Sequence, residues 1–124
     1  MAAGREDRPQ RGVPRDDRLT GPVRAVGAGY VGILSAELHF PEAGSLKGKR
    51  KFVKSVKAQL QQRFGASVAE VDYHDLWQRA RITAACVARD YSGVEGLLDD
   101  AERYLHGQEF ECVRVERRVT TLAE

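Results

Sequence analysis

In this 124-residue chain, four stretches alternate apolar and polar side chains and two repeat apolar ones every three or four residues, interleaved in a fixed order. Alternation marks a strand buried on one side, and the longer period marks an amphipathic helix. From Tyr30 to Phe40, Gly32, Leu34, Ala36, Leu38 and Phe40 share a face and Ser35, Glu37 and His39 share the other. Pro41 and Gly44 break this strand, and Ser45 is a suitable N-cap. Val53, Val56, Leu60 and Phe64 then predict a helix of about five turns, closed by Gly65. Ser67 to Asp72 reads as a short strand with Ala69 and Val71 on one side and Glu70 and Asp72 on the other. After a polar turn, Tyr73 to Leu76, a third strand from Trp77 to Ala88 sets Ala80, Ile82, Ala84 and Cys86 against Arg79, Arg81 and Thr83. Ser92 and Glu95 form a capping-box pattern ahead of a helix through Val94, Leu97, Leu98, Ala101 and Leu105, ending at Gly107. The last strand, Glu109 to Leu122, alternates Val113, Val115 and Val119 with Arg114, Glu116 and Arg118.

The order is βαββαβ, and strands apolar on one side fit a sheet covered by helices on that side alone. Right-handed crossovers then give a ferredoxin-like α+β domain, a four-stranded antiparallel sheet of order 4-1-3-2, over residues 30–124. Residues 1–29 hold three of the four prolines, five of the twelve glycines and no aromatic, and read as a disordered tail. Neither an apolar span of membrane length nor a secretory signal is visible, which points to the cytosol.

Charge along the first helix runs against helix electrostatics. Residues 46–64 carry Lys47, Lys49, Arg50, Lys51, Lys54, Lys57 and Arg63 and no acid, crowded toward the amino end. Peptide dipoles make that end positive, so an exposed cation there is disfavoured by about 0.3 to 1 kcal/mol. A docked anion would reverse the sign, as phosphate does at helix amino termini. The opposing explanation is local neutralisation, because Asp90 to Gly107 carries five acids and one arginine. Residues 30–124 balance at fourteen cations and fourteen acids, so any nucleic-acid contact must be local. The candidate anion- or RNA-binding residues are Ser45, Lys47, Lys49, Arg50, Lys51, Lys54 and Arg79.

Other chemistry is weakly patterned. The topology sends His39, His74 and His106 to one rim of the sheet, beside Asp72 and Asp75, yet their spacing matches no metal motif. No nucleophile elbow, phosphate loop or dinucleotide fingerprint is present, and no catalytic residue, metal ligand or cofactor is assigned. Cys86 reads as an inert core residue and Cys112 as lying on the opposite face. That open face offers Ser35, Glu37, Arg79, Arg81 and Thr83 in place of stacking aromatics, and its Val31, Ile33, Ala85 and Val87 suit a homodimer through the sheet.

The segments Gly32-Ile-Leu-Ser-Ala-Glu-Leu-His-Phe-Pro, Ser45-Leu-Lys-Gly-Lys-Arg, Ser67-Val-Ala-Glu-Val-Asp and Asp75-Leu-Trp-Gln-Arg-Ala resemble the YlxP-like family of small bacterial proteins, a domain of unknown function, over about residues 30–119. The resemblance implies a ferredoxin-like fold and a setting among translation factors, from which a role near the ribosome is inferred. Its motif residues fall on Ser45, Leu46, Lys47, Lys49 and Arg50 and on Glu70, Asp72, Asp75, Trp77, Gln78 and Arg79. The long tail and Tyr73, where members often carry histidine, depart from the pattern. The hairpin motif also has a structural explanation, with Trp77 covering the end of the core and Asp75 holding the turn. Three readings follow: an RNA- or ribosome-associated protein that is not an enzyme, a homo-oligomeric interaction module, and an enzyme acting on a small anion at the histidine rim.

Overall fold

The computed structural model describes residues 27–122, so all but the last three residues of the expected tail lie outside the described residues. The elements are β1 (Tyr30–His39), α1 (Leu46–Phe64), β2 (Ser67–Asp72), β3 (Arg79–Ala88), α2 (Tyr91–His106) and β4 (Glu111–Thr120). The strands lie in the order β2-β3-β1-β4 with every neighbouring pair antiparallel, and this βαββαβ arrangement is ferredoxin-like.

Between the sheet and the helices, Leu34, Ala36 and Leu38 of β1 and Ala80, Ile82 and Ala84 of β3 meet Val53, Val56 and Leu60 of α1 and Val94, Leu98 and Leu105 of α2. Helix α1 lies over β2 and β3, and α2 over β1, β3 and β4. Gly32 sets the close approach of α2, since a Cβ there would stand 2.7 Å from Val94 Cγ2 and 3.0 Å from Leu98. The Ser45 hydroxyl caps α1 by accepting from Gly48 N at 3.0 Å, and Gly65 ends it in the left-handed region at φ 64°.

Three local readings are corrected. Asp90, not Ser92, caps α2, accepting from Gly93 N at 2.8 Å; the helix starts at Tyr91, which leaves Ser92 inside the first turn. In β2, Val68 and Glu70 turn toward the helices, opposite Ala84 and Ile82, while Val71 is half exposed. In β4 a bulge leaves Val113 without a register partner, because Glu37 pairs with Arg114 and Leu38 with Cys112. The extra residue exposes Val113 and puts Cys112 on the helix side, beside Leu38. Burial, then the nearby Glu102 carboxylate, pushes the Cys112 thiol up to about 11.

The acids of α2 do not neutralise α1. Glu95, Asp99 and Glu102 converge on Arg117 of β4, at 2.8, 2.9 and 3.2 Å, and Asp100 pairs with Arg103 of its own helix. No described helix is long and apolar enough to cross a membrane.

Candidate functional site

The apolar stripe of α1 extends one turn further back than its apolar residues do. Lys49 precedes Val53, Val56 and Leu60 at steps of four, three and four, so helical geometry turns it inward. It is only 1% exposed. Its ammonium donates to the Glu70 carboxylate at 2.9 Å and to the backbone carbonyls of Tyr73, His74 and Arg79 at 2.8, 3.3 and 3.2 Å. A buried ammonium is tolerable only when its donors are met, and here the Glu70 carboxylate, two carbonyls of the β2–β3 connection and that of Arg79 at the start of β3 meet them. Lys49 is therefore unavailable to a ligand, which corrects its place among the anion-binding candidates.

The connection it holds, residues 73–78, is fixed by further bonds. Tyr73 N donates to the Asp72 carboxylate at 2.7 Å, and Leu76 N to the Tyr73 carbonyl at 3.1 Å. The Gln78 side-chain amide donates to the carbonyls of Pro41 and Ala43, each at 3.1 Å, joining the connection to the loop that precedes α1. Tyr73 adopts φ 65°, a left-handed conformation costly for an aromatic residue, and the Arg79 guanidinium lies 4.2 Å from its ring centre. Trp77 does not cover the core: it is 54% exposed, with Leu76 beside it 42% exposed. The turn is held by Asp72, while Asp75 makes no side-chain bond among the described residues.

Of the remaining candidates, Lys47, Arg50, Lys51 and Lys54 are exposed on α1, and none has a carboxylate partner among the described residues. Arg50 and Lys54, with Lys57 and Gln61, line an open groove of about 640 Å³ that reaches Glu70 of β2. Lys57 was absent from the candidate set, although its position three residues after Lys54 and seven after Arg50 signalled the same flank. Ser45 serves the helix as its cap. Arg79 is not brought to these cations, because its side chain lies on the open face, where it meets Glu37 at 2.9 Å.

The histidines share a rim by topology but not a site. His39 Nε2 lies 2.8 Å from Glu37, His74 bonds the Glu70 carbonyl, and His106 lies 3.5 Å from Glu102. Among the described residues no three histidine, cysteine or acidic side chains are grouped to hold a metal. The hydrogen bond with His39, reinforced by Arg79, holds the Glu37 carboxyl below the usual carboxylate range.

Residues 31–118 match the family described as Protein of unknown function (DUF503). The chain belongs to this family. A curated relative, the "Uncharacterized protein YlxP" of Bacillus subtilis (strain 168), is 36% identical over 58 residues. That segment is 47% of this chain and 63% of the relative, so the match spans less than two thirds of it. Among solved structures, the de novo designed protein Foldit4 is similar at 14% identity and a TM-score of 0.44, over 75% of this chain and 97% of the design. The de novo designed protein Ferredog-Diesel is similar at 11% identity and a TM-score of 0.36, over 88% of this chain and all of the design. The residues that suggested the family occupy both sides of one contact: the segment around Lys49 supplies the buried ammonium, and the segment from Glu70 to Arg79 supplies its acceptors.

Proposed function

We propose that this member of the family is an RNA- or ribosome-associated cytosolic protein without catalytic activity, which contacts phosphates through Lys47, Arg50, Lys51 and Lys54, with Lys57 along the groove. The observation that carries this reading is that the first four are exposed with no acid to pair with among the described residues, although α2 presents a row of acids that Arg117 occupies instead. Unpaired cations along one helix lower their free energy by neutralising phosphates and releasing counterions. The triple substitution Lys47→Glu, Arg50→Glu and Lys51→Glu tests it. Co-sedimentation with ribosomes or total RNA at low salt should be lost, with thermal stability kept within about 1 kcal/mol. Wild-type binding should also weaken steeply as salt rises. Unchanged co-sedimentation of the triple variant overturns the reading.

A second reading, self-association through the open face, is favoured by Val87, which is 70% exposed on the face it shares with Val31, Ile33 and Ala85. Sedimentation as a 13.8 kDa monomer at high concentration would remove it.

A further inference from the structure

Resting on the phosphate-contact reading, we propose that Trp77 is a stacking platform for a base of single-stranded RNA whose backbone lies along the exposed cations of α1. Large aromatic side chains usually bury most of their surface, yet Trp77 is left more than half exposed. The exposure is not that of a loose loop. A buried ammonium holds the carbonyls of Tyr73 and His74 on one side of Trp77 and that of Arg79 on the other, and Gln78 is tied to the β1–α1 loop. Left-handed Tyr73 adds a strained residue that these contacts keep in place. The result is a backbone fixed on both sides of the aromatic residue before any partner arrives, which lowers the ordering cost of binding.

The ties from Gln78 to Pro41 and Ala43 place Trp77 beside the loop that leads into α1. The first turn of α1 holds no acid; Lys47 is exposed in it, and Arg50 and Lys51 are exposed in the next turn. Positive charge next to a free aromatic face is how proteins bind single strands, the cations following the backbone and the ring taking a base. In a duplex every base pair but the two terminal ones is covered on both faces, so an indole cannot stack on an interior base without unstacking it. Asp75, exposed in the same connection, repels phosphate, so the backbone runs over α1 while the base reaches the loop.

Trp77 is the sole tryptophan of the chain, so intrinsic fluorescence reports on it directly. The full chain is titrated at low salt with a short single-stranded oligoadenylate, with an RNA duplex of equal length and with inorganic polyphosphate, a polyanion without bases. Oligoadenylate should quench the emission, and Trp77→Ala should weaken its binding by about 5- to 150-fold, the usual worth of one stacked base, with Trp77→Phe restoring most of it. Polyphosphate should bind without quenching and equally well to Trp77→Ala. Oligoadenylate binding with unchanged emission and equal affinity for Trp77→Ala overturns the stacking role and leaves the phosphate reading standing. Equal quenching by the duplex overturns the preference for single strands. Failure of every polyanion to bind the wild-type protein overturns both readings.

Discussion

Lys49 and Glu70, 21 residues apart in sequence, meet at 2.9 Å in the interior and so join α1 to the strand it packs against. Removing one member of a buried pair leaves the other charge uncompensated, which costs about 3–5 kcal/mol. Lys49→Met should therefore destabilise the fold by that order in urea or thermal unfolding. Adding Glu70→Leu should recover only part of the loss, because the carbonyls of Tyr73, His74 and Arg79 each still lose the ammonium as a donor. A Lys49→Met protein as stable as wild type would show that the buried ammonium does not hold the connection.

Glu37 gives the protein a pH dependence of definite sign. Its carboxyl is held below the ordinary range by His39 on β1 and Arg79 on β3, with Arg81 and Arg114 directly opposite it in register on β3 and β4. In mild acid the folded protein therefore binds fewer protons at Glu37 than the unfolded chain does. The stabilisation is complete above the ordinary carboxylate range and is lost as pH falls through the folded-state value. The stability difference between wild type and Glu37→Gln should be present at neutral pH and shrink on acidification. A difference constant down to strongly acid pH would contradict this origin.

Neither thiol should react readily in the folded state. Burial raises the pKa of Cys86, and Cys112 is pushed up to about 11, so little thiolate exists at pH 8. Iodoacetamide labelling at that pH should be slow for both in the native protein and fast after denaturation. Rapid native labelling of Cys112 would place it on the open face after all.

Gly32 tests the fit between α2 and β1. Gly32→Ala drives a methyl group into Val94 and Leu98, and overpacking of this kind costs about 1–3 kcal/mol. Unfolding should shift accordingly, whereas Gly96→Ala, with open space around the added carbon, should not destabilise. Equal effects of the two would mean that α2 is free to move away.

The periodicities carried the element order, the bounds of α1 and those of β2, because each depends on neighbours close in sequence, and the handedness of crossovers carried the strand order from there. What they missed depends on long-range partners. Ala69 and Val71 are the more apolar pairing on their side of β2, so Glu70 looked solvent-facing; only Lys49, already aligned with Val53 and Val56, explains why a carboxylate turns inward. The neutralising role given to the α2 acids failed in the same way, since Arg117 lies on another strand and takes three of them. Within the candidate site, the exposed cations of α1 were legible from helical spacing. The same spacing set Lys49 on the apolar stripe, but the acceptors that make its burial tolerable, and the Glu37 carboxylate that engages Arg79, are distant in sequence.

The unpaired Val113 makes β4 unevenly sensitive to length. A chain shorter by that residue alone would form a regular ladder with Cys112 and Arg117 still beneath the helices, whereas losing a residue near Glu116 would exchange inner and outer side chains along part of the strand. Among deletions inside β4, one at the bulge, Val113 or Arg114, is the change the rest of the molecule can absorb.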